Sequence, residues 1–218
     1  MSVKFYMKPV GAIGTNCYIV FDTDSDICAV IDPGAQGDKI AAALTEHGLK
    51  PAYILLTHGH YDHIGGVNQL RKAFPEAKLA IGEKDAEQLQ DLEKSLAASH
   101  GFPGRGYIME ADQLLSDGDQ IEVGPLTFTV IDTPGHTLGC VTYRCGDLLF
   151  TGDALFRGSV GRTDLYGGSY SVLMDSVHKL AGLEGNLHVL PGHGLDSTLE
   201  EERLHNPYLR KRSDDDLY

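Results

Sequence analysis

The chain has 218 residues, 42% of them hydrophobic and 22% charged, a balance that suits a globular fold with a sizeable core. Its formal net charge of −13, from 18 basic against 31 acidic side chains, argues against a nucleic-acid or anionic-membrane surface, since either needs a basic face. No run approaches the length of a membrane-spanning helix, and the opening Met1 to Met7 lacks the charged-then-apolar order of a secretory leader, so a cytoplasmic location is expected.

Residues 3–10 alternate loosely and predict a strand, 11–16 a turn, and 16–22 a second strand. The polar stretch Asp22 to Asp26 turns the chain into a third strand, 27–31, which Asp32-Pro33-Gly34 ends because proline removes a ladder donor and glycine permits the bend. From Asp38 to His47, Ile40, Ala43 and Leu44 recur at helical spacing, with Gly48 as the stop. Pro51 leads into a strand at 53–57. Val67, Leu70 and Phe74 mark the buried face of a helix that Pro75 terminates. After a short strand at 79–81, the spacing of Leu89, Leu92 and Leu96 predicts an amphipathic helix from Glu83 to about Ala98. The Gly/Pro-rich segment His100 to Gly106 reads either as a connector or as cover over a cleft.

The second half repeats the theme. Strands are expected at 120–123, 126–131, 140–144 and 148–151, separated by turns containing Gly, Pro or Asp. Asp117-Gly118-Asp119 has the acidity of a calcium turn but lacks the twelve-residue ligand spacing. Ser169 is placed to cap a helix with Val172, Leu173, Val177 and Leu180 facing inward. A last strand at 187–190, a closing helix over 200–204 and a solvated tail at 213–216 complete the chain. Two β-rich halves, each followed by helices, suggest two sheets in the middle with helices outside, and no linker is long enough to divide the chain. Cys17, Cys28, Cys140 and Cys145 form no CxxC pair and sit in or beside β-like runs, as small buried hydrophobes do, although Cys140 lies four residues after His136 and so admits a Cys/His nucleophile.

The chemistry concentrates in His58-Gly59-His60-Tyr61-Asp62-His63, directly after the apolar run Tyr53 to Thr57. Side chains two apart on an extended segment share a side, so His58 and His60 can reach one ion together, while Asp62 and His63 at the turn into a helix are free to face another. Imidazole and carboxylate are the ligand set of zinc and similar divalent metals. A His-rich solvated loop is the plain alternative, but the same ligand types recur downstream in one local design: a strand ends, a glycine allows a tight turn, and a ligand follows. His136 stands in Thr133-Pro134-Gly135-His136-Thr137, Asp153 in Thr151-Gly152-Asp153, and His193 in Pro191-Gly192-His193-Gly194. Five histidines and two aspartates are too many for one four-coordinate site and suit two metals about 3.5–4 Å apart that share a carboxylate and a water. His47, His100, His178, His188 and His205 stand outside this design.

The order HxHxDH, PGHT, TGD, PGHG resembles the metallo-β-lactamase superfamily over essentially the whole chain. The resemblance implies an α/β fold, a four-layer αββα sandwich forming a single domain over 1–218 with the metal site at one edge of the sheets. It implies that His58, His60 and His136 bind one metal, that Asp62, His63 and His193 bind a second, and that Asp153 bridges them. The chain departs from the β-lactamase branch, where a different residue and a cysteine typically stand at the sixth motif position and the bridging one. Gly14 to Tyr18, Ile31 to Gly34, Phe150 to Gly158 and Gly161 to Asp164 are most similar to the short form of the glyoxalase II (hydroxyacylglutathione hydrolase) branch. Too few residues follow His193 for the C-terminal helical domain that grips glutathione in full-length members.

The expected activity is therefore hydrolysis of a small thioester such as S-lactoylglutathione, with two divalent ions, zinc foremost and iron or manganese as alternatives. Two cations depress the pKa of a shared water and polarise the acyl oxygen. Asp62 and Asp153 carry the catalytic roles, Asp62 also orienting the water. Arg157, Arg162, Tyr166 and Tyr208 are candidate substrate contacts, Arg162 and Tyr166 above all. The expected partner is a small acyl substrate, with neither nucleic acid nor membrane. The competing expectations are a mononuclear-iron persulfide dioxygenase using the positions of His58, His136 and Asp153, a lactone or other ester hydrolase, and a non-enzymatic metal-binding protein.

Overall fold

A computed structural model describes residues 2–102 and 104–209, the Arg105 side chain excepted. The expected tail at 213–216 lies outside the described residues. In chain order the elements are β1 (Val3–Val10), β2 (Thr15–Asp22), β3 (Ile27–Ile31), α1 (Gly37–Glu46), β4 (Lys50–Leu55), α2 (Tyr61–Ile64), α3 (Val67–Ala73), β5 (Lys78–Gly82) and β6 (Gln113–Leu115). They are followed by β7 (Gln120–Val123), β8 (Leu126–Asp132), β9 (Val141–Cys145), β10 (Leu148–Gly152), β11 (Leu155–Phe156), β12 (Ser159–Val160), α4 (Tyr170–Ala181), β13 (His188–Pro191), β14 (Ser197–Thr198) and α5 (Leu199–His205).

Two six-stranded sheets carry the fold, in the orders β1-β2-β3-β4-β5-β6 and β14-β13-β10-β9-β8-β7. The pairs β3/β4, β4/β5, β5/β6 and β10/β13 are parallel, and the rest of each sheet is antiparallel. Central strands are apolar on both faces because both faces are covered. On β3, Ala29 and Ile31 join Phe128, Tyr143 and Phe150 between the sheets, while Val30 and Cys28 face the α1/α3 layer with Ile40, Leu44 and Leu70. On β10, Phe150 points inward and Leu149 outward against Leu173, Val177 and Leu180 of α4. The result is the expected αββα sandwich. No helix among the described residues is long and apolar enough to cross a membrane.

Several local expectations need correction. The segment from Glu83 is a 3₁₀ helix over Glu83–Gln90 followed by turns, not an amphipathic helix to Ala98. Leu92 and Leu96 are only partly buried and Leu96 adopts φ 65°, whereas the polar Asp85 and Gln88 go inside with Leu89. Asp85 is drawn in by tertiary hydrogen bonds, described below, that a regular helix would not position. Val172 is 39% exposed and does not join the inward face of α4. Ser169 occupies the N-cap position but makes no capping hydrogen bond. β4 ends at Leu55, two residues before the expected limit, and the short strands β6, β11, β12 and β14 carry no pattern long enough to anticipate. All four cysteines are free and buried. The Cys140 Sγ lies 2.8 Å from Thr137 Oγ1, and burial pushes its thiol well above the ordinary value, the opposite of an activated nucleophile.

Candidate metal centre

All seven ligand candidates come together at one edge of the sandwich, on the segments that leave β4, β8, β10 and β13. The glycine before each downstream ligand is sterically required. A Cβ on Gly192 would stand 2.3 Å from Asp153 Oδ1 and 2.8 Å from His63 Cε1, and one on Gly152 (φ +50°) 2.4 Å from Thr57 Oγ1. Gly34 lets the β3 end approach α2 closely, for a Cβ there would lie 1.5 Å from the Asp62 carbonyl oxygen.

His58 Nε2, His60 Nδ1 and His136 Nε2 converge, with His60 Nδ1 3.0 Å from His58 Nε2 and 2.9 Å from His136 Nε2. Asp62, His63 and His193 form a second trio, in which Asp62 Oδ2 is 3.3 Å from His63 Nε2 and 3.2 Å from His193 Nε2. Asp153 stands between the trios. Its Oδ1 is 3.4 Å from His63 Nε2, and its Oδ2 is 3.6 Å from His136 Nε2 and 3.7 Å from His193 Nε2.

Outer partners set the tautomers. Thr57 Oγ1 donates to Asp32 Oδ2 (2.7 Å), so it accepts from His58 Nδ1–H at 3.1 Å and leaves the Nε2 lone pair facing the centre. His63 Nδ1–H donates to the same Asp32 oxygen at 2.9 Å, and His136 Nδ1–H to the Arg162 carbonyl at 2.7 Å. Thr15 Oγ1 donates to Asp62 Oδ2 at 2.8 Å. Asn16 Nδ2 and Tyr18 Oη bond the Pro191 carbonyl at 3.0 and 2.7 Å, anchoring the His193 turn. Asp85 ties the two loops of the first trio together by accepting from Gly59 N (3.3 Å), Thr137 Oγ1 (2.6 Å) and Gly139 N (2.7 Å).

The electrostatics fit cations. Burial disfavours protonation of His58 and holds His60 down to about 3, the neutral state a ligand needs. Burial opposes ionisation of Asp153, but His63 and the other imidazoles outweigh it and hold the carboxyl at about 2. For Asp62 the same contest, with His63 and His193 as neighbours, ends well below the usual carboxylate range. Burial likewise opposes charge on His63, yet Asp62, Asp32 and Asp153 lift it well above its ordinary value, which marks a strongly negative spot. His63 Nε2 and Asp153 Oδ1 are buried and have no hydrogen-bond partner, as expected of atoms that face an ion. His60 Nε2 is also without a partner, and lying on the ring edge away from the trio it has no such explanation.

Of the remaining candidates, Arg162 lines the cavity over the centre, but its guanidinium forks onto Asp164 with two bonds of 2.7 Å. Arg157 is exposed and faces Glu201 at 3.8 Å. Tyr166 and Tyr208 are 43% and 38% exposed and do not line that cavity. His47, His178, His188 and His205 lie away from the centre, whereas His100 lines the cavity and stacks on Tyr61 at 4.4 Å. Asp32, Asp85, Thr15 and Thr57 belong to the site through their hydrogen bonds to the candidates and their loops, without standing in any of the ligand motifs. Asp32 did carry a signal, since it too follows directly on a strand and precedes a glycine turn.

A His/Asp cluster of this donor chemistry, set at the strand ends of an αββα sandwich, defines a metallo-hydrolase type of centre. The chain belongs to the metallo-beta-lactamase superfamily, whose family model matches residues 10–193. Similar proteins include the probable metallo-hydrolase YqgX of Bacillus subtilis, 36% identical over 95% of this chain and 98% of its own length. The hydroxyacylglutathione hydrolase GloC of Haemophilus influenzae is 32% identical over 94% of this chain and 97% of its own. Among solved structures, the B3 metallo-beta-lactamase BLEG-1 superposes with a TM-score of 0.88 at 36% identity, covering 95% of this chain and all of that one. TTHA1623 in a di-iron-bound form superposes with a TM-score of 0.83 at 33% identity, covering 94% of this chain and all of that one.

Proposed function

We propose that the protein is a binuclear metal-dependent hydrolase of the glyoxalase II type, acting on a small thioester such as S-lactoylglutathione. The observation that carries this reading is the seven-ligand set with an aspartate, Asp153, between the two trios, in a chain alike over nearly its whole length to a protein named hydroxyacylglutathione hydrolase. His58, His60 and His136 would hold one ion and Asp62, His63 and His193 the other, with Asp153 shared. Zinc fits the donors, as do iron and manganese, and the di-iron form of TTHA1623 supports a two-ion site. Bound there, divalent ions supply a water nucleophile at neutral pH and polarise an acyl oxygen.

The rest is done by side chains of the chain itself. Asp32 and Thr57 fix the imidazoles in the tautomers that present lone pairs. Asp62, steadied by Thr15, offers an acceptor oxygen that orients the attacking water. Arg162 sits where it can meet a charged carrier, although an anion there competes with Asp164 for the guanidinium. The protein is expected to work on a small acyl compound, without nucleic acid or membrane, and in the cytoplasm.

The test is turnover of S-lactoylglutathione by the purified protein, with Asp153→Ala as control. A kcat/KM above about 10⁴ M⁻¹s⁻¹ that vanishes in the variant supports the reading. No turnover removes it, and assays with a chromogenic cephalosporin, lactones, and glutathione persulfide with oxygen uptake then separate the remaining activities.

A further inference from the structure

Two cavities meet at Asp62. The larger, about 430 Å³, lies over the centre and extends past Phe156, Ser159 and Arg162. The second, about 300 Å³, runs between the β1–β2 turn at Gly11 to Ile13 and an aromatic cluster of Tyr61, His100, Phe102 and Tyr107. Ile13, Tyr61, Asp62 and His100 line both, so the two form arms of one forked cleft. The cluster is a stack: Tyr61 lies over His100 at 4.4 Å and 19° and beside Phe102 at 5.7 Å and 27°, and Phe102 tilts onto Tyr107 at 5.1 Å. Among the described residues no lysine or arginine lines this arm, and Asp62, at its mouth, is its one carboxylate.

We propose that this aromatic arm receives the acyl substituent of the substrate and selects a ring-bearing acyl group over a small hydroxyacyl group. The proposal rests on the thioester hydrolase reading. A carbonyl attacked beside Asp62, where the two arms meet, directs its acyl substituent into one arm and its thiol carrier into the other. The arm with Ser159 and Arg162 offers the polar groups a charged thiol carrier needs. The other is walled mostly by ring faces and small apolar side chains, which favour a flat apolar group. A three-carbon hydroxyacyl group would leave most of the 300 Å³ to water, whereas a benzyl group stacks on Phe102 and Tyr61.

The experiment compares kcat/KM for the phenylacetyl and lactoyl thioesters of glutathione in the wild type and in Phe102→Ala. Phe102 is 41% exposed, so its truncation leaves the core intact. The wild type should prefer the phenylacetyl thioester by about tenfold or more, and the variant should lose about that factor on phenylacetyl while the lactoyl value stays within about twofold. Equal rates, a lactoyl preference, or a uniform loss on both substrates in the variant overturns the proposal. If neither thioester turns over, the hydrolase reading falls on its own, and calorimetric titration with phenylacetate against acetate decides the arm. Saturable phenylacetate binding that Phe102→Ala weakens sustains it, and binding no better than that of acetate overturns it.

Discussion

Asp32 illustrates how much of the centre depends on residues that need not touch an ion. It is 2% exposed, adopts φ 49°, and receives Thr57 N, Thr57 Oγ1 and His63 Nδ1. Replacing it by alanine frees His63 and Thr57 to rotate, and metal affinity and activity should fall by about 10- to 100-fold, read by metal analysis and kinetics on the same sample. Gly192→Ala acts differently. Its added methyl would displace Asp153 or His63, so activity should drop by roughly 100-fold while the circular dichroism of the fold persists. At this scale the residues that cluster were legible as ligand candidates, because strand, glycine and ligand type are adjacent in sequence. Asp85 was not, because its partners Gly59, Thr137 and Gly139 meet only in three dimensions.

At the scale of elements, α4 links the core to the centre. Leu173 is fully buried and packs against Gly135, the residue before His136, where a Cβ would stand 2.4 Å from Leu173 Cα. Leu173→Ala should destabilise the fold by about 2–5 kcal/mol in denaturant melts, while the His136 turn, which meets the Leu173 backbone and Cβ that alanine keeps, should hold its metal ligand in place. The long strands and α1 and α4 were readable from periodicity, since their apolar faces set their position. The Glu83 segment was not, because helical spacing of its leucines competes with the pull of Asp85 into the interior, and the tertiary bonds win. Strands of two or three residues such as β6 and β11 owe their existence to the neighbours they pair with, which no local pattern records.

At the scale of the whole molecule, the ligand candidates span from His58 to His193 and come from segments that leave strands of both sheets. Stripping the metal with a chelator should therefore abolish activity and lower the melting temperature, while the core of the three apolar clusters stays folded at ambient temperature. Acidification acts the same way. A histidine that binds an ion must be neutral, so protons compete with metal, and the metal-dependent part of the stability should be present at neutral pH and be lost as the pH falls.

Because such a centre exists only when distant parts of the chain are assembled, the folded protein binds the ion and the unfolded chain does not bind it comparably. Conformational stability then becomes a function of the chemical potential of the metal. Each tenfold rise in free ion above its dissociation constant should add about 1.4 kcal/mol to the unfolding free energy for every ion bound. The melting temperature would then climb with the logarithm of free metal, and the protein's persistence would follow the metal supply of its surroundings.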